Sequence, residues 1–272
     1  MSNWVFLNDE FIAEEKTFLH VSDLSIQRAY GVFDFFKIIN SQPVFLEEHL
    51  QRFYFSAEQM HLPVRQSKDQ LKKIIFEFIK KNAVNNTGVR ITLTGGYSPD
   101  GYQLGKPNLI IALRPFTPLT EEEFNKGIKM ITYEHQRQLP HVKTIDYIMG
   151  VWLQALIKEK NADDVLYHLN GIVTETPRSN IFIVTEDNRI VTPAKNMLKG
   201  ITRNKLIETA KTNFTVEERD VSLAEVKTAK EAFITSTTKV ILPIRQIDDY
   251  ILPIDNRVSV QLFEMMQNLF QA

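Results

Sequence analysis

The chain of 272 residues carries 32 Lys and Arg against 33 Asp and Glu, so its formal net charge is −1. This balance argues against a nucleic-acid-binding surface, and the lack of cysteine excludes disulfides, thiolate metal sites and a cysteine nucleophile. Hydrophobic residues make up 43% and charged residues 24% of the chain, which predicts a globular protein of one large or two moderate domains. No signal peptide or membrane-length apolar run is recognisable, so we expect a cytoplasmic protein with no membrane contact and no metal.

The first part of the chain alternates predicted strands and helices. Ser67 and Gln70 form a capping box, and the apolar residues that follow have helical spacing. The predicted elements are a hairpin of Trp4–Leu7 and Phe11–Ala13, a strand Phe33–Asn40 turning into Val44–Leu46, a helix Glu47–Met60, the helix after Ser67, and strands Val89–Thr94 and Leu109–Leu113.

A change of pattern at Pro115 and Pro118 predicts a boundary between two domains. Beyond it, Asn170-Gly171 is the strongest hairpin signal in the chain. The predicted elements are strands Lys129–Tyr133, Val165–Leu169, Ile172–Glu175, Ile181–Val184 and Arg189–Thr192, a helix with an apolar face of Ile148, Val151, Trp152, Ala155 and Leu156, and helices Asn204–Ala210 and Val258–Leu269. The resulting architecture is α+β.

Three segments of the second part contain residues that could carry chemistry. Lys143 follows a proline and precedes a helix, and Glu175 ends the predicted hairpin. Either residue alone would be read as a surface charge. The run Lys199–Arg203 has the composition of an anion site, because Gly200 permits close backbone approach and the next amides open a helix. A plain glycine turn with a threonine cap is the alternative for this run.

The order and spacing of these segments resemble the class IV family of pyridoxal 5′-phosphate (PLP) enzymes. This family contains branched-chain aminotransferases, D-amino acid aminotransferases and aminodeoxychorismate lyases. The segments that carry the resemblance are Ser22-Asp23, Tyr30–Phe33, Glu48–Arg52, Lys143, Thr174-Glu175, Ser179–Phe182, Leu198–Arg203 and Ser236–Thr238. The resemblance implies the fold type IV architecture and a homodimer. We expect a smaller N-terminal α/β domain over 1–115, a linker over 116–122, and a larger PLP-binding pseudo-barrel domain over 123–272.

The resemblance also implies roles for the residues that would hold the cofactor. Lys143 matches the lysine that forms the Schiff base and then moves a proton between the substrate and the cofactor. Glu175 matches the carboxylate that keeps the pyridine nitrogen protonated. Tyr147 matches a tyrosine that branched-chain enzymes place against the ring hydroxyl, with a core tyrosine as the alternative.

The cofactor phosphate has its own expected set of ligands. Arg52 matches the family's phosphate-binding arginine, whose guanidinium gives a bidentate contact. Ile201 and Thr202 would add backbone amides and a hydroxyl, and Ser236 and Thr237 would complete the phosphate site. A simple turn is the alternative for the last two residues.

The substrate carboxylate site departs from the D-amino acid enzymes. Phe33 replaces their tyrosine, and Thr94-Gly95-Gly96 lies where their arginine is expected. Arg28 and Arg90 are candidate replacements, because a buried carboxylate needs a cation. Whether Arg28 would serve its own subunit or the neighbouring one is open.

These observations predict a transaminase that moves an amino group from a D-amino acid, of the D-alanine or D-glutamate type, to a 2-oxo acid such as 2-oxoglutarate. The reaction would be ping-pong through the Schiff base at Lys143. The alternatives are a branched-chain L-amino acid aminotransferase and an aminodeoxychorismate lyase. The sequence leaves open the enantiomer, the side-chain preference and the choice between transaminase and lyase.

Overall fold

The computed structural model describes residues 3–253 and 256–271, which form two compact units. The first unit comprises residues 3–116 together with Val142–Asp146, and the second comprises Thr117–His141 and the chain from Tyr147 onward. The predicted division assigned Lys143 to the C-terminal domain, whereas the structure places its segment in the first unit. The reason is backbone pairing, since Phe33 N–H donates to Lys143 C=O at 3.0 Å and Ile145 N–H donates to Gly31 C=O at 3.0 Å.

The first unit contains a six-stranded antiparallel sheet in the order β2-β1-β6-β5-β3-β4. Its strands are β1 Trp4–Leu7, β2 Glu10–Ala13, β3 Gly31–Ile39, β4 Gln42–Pro43, β5 Thr87–Thr94 and β6 Leu109–Leu113, and its helices are α1 Leu24–Arg28, α2 Leu46–Gln59 and α3 Lys68–Asn82, with a 3-10 turn at Glu14–Lys16. The predicted hairpin and the Ser67–Gln70 capping box are confirmed. The chain does not continue as a strand over Val44–Leu46, because α2 already begins at Leu46.

The core of the first unit fixes the position of β3. Val32, Phe36 and Ile38 are buried together with apolar residues of α2 and α3, and Val142 packs into the same cluster. In the pairing of β3 with β5, Phe33 lies opposite Thr92 and Phe35 lies opposite Arg90. Because side chains alternate along a strand, these four side chains share one face of the sheet.

The second unit contains a nine-stranded mixed sheet in the order β12-β11-β10-β13-β14-β7-β8-β9, with β15 paired to β14. The elements are α4 Glu121–Lys126, β7 Ile128–Glu134, α5 Ile148–Trp152, α6 Gln154–Glu159, β8 Asp164–Leu169, β9 Ile172–Val173, β10 Asn180–Val184, β11 Ile190–Thr192, α7 Ile201–Ala210, β12 Val216–Glu218, α8 Leu223–Lys227, β13 Glu231–Ser236, β14 Val240–Ile247, β15 Tyr250–Ile251 and α9 Arg257–Gln271. No helix in the described ranges is long and apolar enough to cross a membrane.

Two predictions for the second unit had opposite outcomes. The turn between β8 and β9 is confirmed, since Asn170 and Gly171 have φ values of 49° and 76°. The predicted apolar helix face is wrong, because a different stripe of the same segment faces the core. Leu153 and Ile157 are the buried residues, whereas Val151 and its predicted partners lie mostly at the surface. Met149 packs on the same cluster as Leu153 and Ile157, so the buried stripe keeps a four-residue spacing from α5 into α6.

Candidate active site

Lys143 is held by its backbone between β3 and α2. Its N–H donates to the Ser56 hydroxyl at 3.2 Å, and Ser56 lies one helical turn after Arg52 on α2. A β-bridge between Val32 and Thr144 aligns the segment with the start of β3. The Lys143 side chain is half-buried, and its Nζ lies 4.6 Å from the ring centroid of Phe33. A fixed backbone with a partly shielded amine suits a lysine that forms a covalent bond.

Arg90 approaches the same aromatic ring from β5. Its guanidinium carbon lies 4.0 Å from the Phe33 ring centroid, and its Nε donates to Thr92 Oγ1 at 3.2 Å. Arg90 is half-buried. The Arg90 guanidinium and the Lys143 amine thus contact the same Phe33 ring.

Arg28 has a different environment. It is exposed at the end of α1, and its Nη1 donates to the Gln27 C=O at 2.9 Å. The structure therefore places Arg28 on the surface of the first unit and does not bring it to Lys143.

Arg52 is oriented by Asp34, a residue to which the sequence analysis gave no role. Arg52 Nε and Nη2 donate to the two carboxylate oxygens of Asp34 at 2.8 Å each, and His49 Nδ1 lies 2.6 Å from Asp34 Oδ1. Burial alone would raise the pKa of Asp34, but Arg52 and His49 hold it below its usual range. Burial lowers the pKa of His49; Asp34 opposes this shift, while Arg52 and Lys143 add to it.

Glu175 lies just after β9, with its carboxylate held at both oxygens. Arg137 Nε donates to Oε1 at 2.7 Å, and the Leu198 N–H donates to Oε2 at 3.0 Å. Arg137 also donates from Nη2 to the Pro140 C=O at 2.6 Å, which fixes its own side chain. The carboxylate is buried, and the Arg137 guanidinium is the kind of partner that a buried carboxylate needs.

The start of α7 has the features of an anion site. Gly200 is the N-cap, and because glycine has no side chain it cannot cap the first amides of the helix. Ile201 and Thr202 begin the helix, and their side chains are buried. The first amides of a helix have no partner within it and favour an anion. A Cβ added at Gly200 would lie 2.2 Å from Asn180 Oδ1, so the fold leaves no space for a side chain there.

The remaining predicted residues also lie in the second unit. Ser236 ends β13, and its Oγ accepts from the Lys239 N–H at 3.2 Å. This hydrogen bond closes a turn, and a simple turn was the alternative to a phosphate contact for this segment. Thr237 is half-buried in that turn. Tyr147 is half-buried and precedes α5.

Asp34, His49 and Arg137 are the residues that sequence reasoning missed. Asp34 carried a detectable signal, because a charged residue inside an aromatic strand needs a partner. His49 lies one residue after Glu48 in a segment that resembles the family, but its partner could not be read from spacing. Arg137 had no signal beyond its place in the loop before Lys143.

The residues present fit PLP by their chemistry. PLP has an aldehyde, a phosphate and a pyridine nitrogen. The chain offers the Lys143 amine, the Arg52 guanidinium, the Glu175 carboxylate and the amides that open α7. An amine, two anion-binding groups and a buried carboxylate are the partners that these three functions require.

A model of the class IV amino-transferase family matches residues 31–247, and the chain belongs to this family of PLP-dependent aminotransferases, which act on amino acids and 2-oxo acids. It is 29% identical over 254 residues to the D-alanine aminotransferase of Listeria monocytogenes, covering 90% of this chain and 87% of the relative. The predicted family, fold type and cofactor are thereby confirmed.

Solved structures with the same fold come from more than one kind of enzyme. The branched-chain amino acid aminotransferase of Escherichia coli has a TM-score of 0.89 at 24% identity, over 100% of this chain and 94% of that chain. A Legionella pneumophila protein assigned as a 4-amino-4-deoxychorismate lyase has a TM-score of 0.86 at 22% identity, over 94% of this chain and 97% of that chain. At these identities the likeness establishes the fold alone.

Proposed function

We propose that the protein is a D-amino acid transaminase that transfers the amino group of D-alanine or D-glutamate to a 2-oxo acid such as 2-oxoglutarate. The bound cofactor supplies an electron-accepting ring. Lys143 holds the cofactor and then carries the proton at the substrate α-carbon. Glu175 faces the ring nitrogen, with Tyr147 against the ring hydroxyl. Arg52, the amides of Ile201 and Thr202, and the hydroxyls of Ser236 and Thr237 take the phosphate.

The observation that carries the assignment of an α-amino acid substrate is the shared contact of Arg90 and Lys143 with one aromatic ring. Their cationic groups lie 4.0 Å and 4.6 Å from the Phe33 centroid. An amino acid that reacts at Lys143 would therefore have a guanidinium within reach of its carboxylate. Because a guanidinium binds a carboxylate through two parallel hydrogen bonds, Arg90 would fix the orientation of the substrate.

The space around Gly95 supports a displaced carboxylate site. A Cβ at Gly95 would lie 2.9 Å from two side-chain atoms of Leu24, and a Cβ at Gly96 would lie 2.1 Å from the Lys106 C=O. Gly95 and Gly96, two of the three positions where the arginine of the D-amino acid enzymes is expected, thus have no space for a side chain. Arg90 is the cation that we assign in its place.

Arg28 has a role in this proposal only if a second copy of the chain brings it to the substrate. We infer a homodimer in which Arg28 of one subunit serves the neighbouring one. The exposed position of Arg28 is compatible with this role, and several large apolar side chains of its unit are also exposed, including Phe18 and Val21. Such surfaces often mark protein interfaces.

A branched-chain L-amino acid aminotransferase is the second candidate, and Tyr147 is the residue that favours it. Arg90 also lies near the position at which branched-chain enzymes present an arginine, so the carboxylate contact alone does not discriminate between the enantiomers. The lyase is the third candidate. The relatives named D-alanine aminotransferase favour the D-enantiomer.

The test is a set of single-turnover half-reactions of the PLP-loaded protein with D-alanine, D-glutamate, L-leucine and aminodeoxychorismate. Loss of the visible band of the lysine-bound cofactor and formation of the 2-oxo acid are measured. We expect the two D-amino acids to react fastest. Faster reaction of L-leucine would establish the second candidate, and pyruvate release from aminodeoxychorismate would establish the third.

Variants then test the carboxylate assignment. Arg90→Leu should reduce the specificity constant for both D-amino acids by roughly tenfold to a hundredfold, because a charge-assisted hydrogen bond contributes about 1.5–3 kcal/mol. Arg28→Leu should act in the same direction. The cofactor band should persist in both variants. Parent rates in both would place the carboxylate elsewhere.

A further inference from the structure

Asp34 is a carboxylate in the interior of the first unit. It lies in the middle of β3 between Phe33 and Phe35, and its side chain is fully buried. Burying an ionised carboxylate is costly unless charged and hydrogen-bonding partners surround it. The partners that the fold supplies therefore indicate what the carboxylate is for.

Those partners come largely from one face of α2. Arg52 Nε donates to Oδ2 and Arg52 Nη2 to Oδ1, both at 2.8 Å, so the contact is bidentate. His49, three residues earlier on α2, makes a 2.6 Å contact with Oδ1. The Phe35 N–H donates to the same oxygen at 2.8 Å. Asp34 is thus fixed by its own strand and in turn fixes two side chains of the helix.

The bidentate contact uses one edge of the Arg52 guanidinium. A guanidinium has five N–H donors in a planar fork, and Asp34 takes one from Nε and one from Nη2. The Nη1 group and the second N–H of Nη2 form another edge of the same plane, with the geometry that a phosphate accepts. Fixing a long side chain beforehand reduces the entropy lost when an anion binds.

We propose that Asp34 is a positioning residue that holds Arg52 for the cofactor phosphate, and that His49 supports Asp34 in this role. This inference rests on the proposed phosphate contact of Arg52. The cluster also adjoins the reactive lysine, since Lys143 N–H bonds to Ser56 one turn beyond Arg52. A role in stability alone is a weaker explanation, because apolar residues of similar volume often stabilise an interior as well as buried ion pairs do.

The test compares two probes that differ only in the phosphate. Apoprotein is titrated with PLP and, separately, with pyridoxal, and the visible band of the lysine-bound cofactor gives the dissociation constant of each. The variants are Asp34→Asn, His49→Gln and Arg52→Met. Glu225→Gln is the matched control, because Glu225 makes a bidentate pair with Arg219, which has no proposed cofactor contact.

For Asp34→Asn we expect the PLP dissociation constant to rise by about tenfold to a hundredfold, with pyridoxal affinity unchanged. Arg52→Met should show the same selective loss, His49→Gln a smaller one, and Glu225→Gln none. A selective loss in Arg52→Met with none in Asp34→Asn would overturn the positioning role alone. No selective loss in Arg52→Met would overturn the phosphate contact and the inference together.

Asp34→Asn can also act through the fold, and two measurements separate this effect. Equal loss of PLP and pyridoxal affinity in Asp34→Asn would show general damage and overturn the proposal. If Asp34→Asn does not fold, His49→Gln decides the matter, because it keeps the Asp34 carboxylate but removes the imidazole that helps to fix it. A selective loss of PLP affinity in His49→Gln supports the positioning role, and an equal loss for both probes overturns it.

Discussion

At the scale of single residues, the guanidinium of Arg137 neutralises the buried carboxylate of Glu175. The 2.7 Å contact from Arg137 Nε and the 3.0 Å contact from Leu198 N–H hold one oxygen each. Removing a cation from a buried pair leaves the remaining charge poorly compensated. Arg137 therefore helps to hold the Glu175 carboxylate in its orientation.

Arg137→Met should weaken PLP and pyridoxal binding to a similar degree, by roughly tenfold, because Glu175 is proposed to contact the ring and not the phosphate. Apoprotein titration with the two probes measures this effect. Arg137→Lys should recover part of the affinity. Unchanged affinity for both probes in Arg137→Met would show that the guanidinium is not needed.

The pH dependence of stability is a second prediction at this scale. The folded protein holds the pKa of His49 below its ordinary value of about 6.5, so below that pH the unfolded chain binds a proton that the folded chain resists. Stability should therefore fall as the pH drops below about 6.5. The pKa of Asp34 is lowered as well, which adds a further loss below about pH 4.

Thermal unfolding measured from about pH 4 to 8 would follow the His49 effect. The decline in melting temperature below about pH 6.5 should be shallower in His49→Gln than in the parent protein, because the glutamine has no proton to gain. Identical slopes in the two proteins would show that burial of His49 does not control acid stability.

The sequence was enough to identify candidate residues that belong to recognisable segments, such as Arg52, Lys143 and Glu175. It was not enough to identify the residues that orient their side chains. Asp34 meets Arg52 only because β3 packs against α2 in one register, and no spacing along the chain encodes that contact. Arg137 meets Glu175 through a loop whose path depends on tertiary structure.

At the scale of elements, turns and caps were more predictable than helix faces. The Asn170-Gly171 turn and the Ser67 capping box depend on a few adjacent residues, and both form as expected. The segment from Ile148 to Ile157 has apolar residues on two stripes with helical spacing, and the stripe that packs on the core is the one with Met149, Leu153 and Ile157. Spacing alone does not tell which of two apolar stripes a helix buries, because that depends on tertiary packing.

The start of α7 gives a prediction at the element scale. Gly200→Ala would place a methyl group 2.2 Å from Asn180 Oδ1, so Asn180 or the first turn of α7 must move. Asn180 also binds the segment that precedes α7, since its Nδ2 donates to the Leu198 C=O at 2.7 Å. We expect PLP affinity to fall by about tenfold, with pyridoxal affected less, because the amides at Ile201 and Thr202 would shift.

A double-mutant cycle checks the cause of that loss. Asn180→Ala removes the oxygen that the new methyl group would meet. The effects of Gly200→Ala and Asn180→Ala on PLP affinity should therefore be less than additive. Full additivity would mean that the contact with Asn180 is not responsible. Parent affinity in Gly200→Ala would remove the start of α7 from the proposed phosphate site.

At the scale of the whole molecule, exposed apolar side chains suggest a surface that a second copy covers. Ile148, Val151 and Trp152 on α5 are 66%, 69% and 63% exposed. Three large apolar residues exposed on one short helix are unusual for a surface that faces only water. Together with the surface position of Arg28, they favour the proposed homodimer.

Sedimentation velocity tests this last prediction. The parent protein should sediment as a dimer, and Val151→Glu should shift it towards the monomer, because a carboxylate would be buried without a partner at the interface. Phe76→Glu, on α3, is the control for a charge added at another exposed apolar position and should leave the dimer intact. If Arg28 serves the neighbouring subunit, the Val151→Glu monomer should also lose transamination while keeping its PLP. A parent protein that is monomeric and fully active would contradict both the dimer and the role of Arg28.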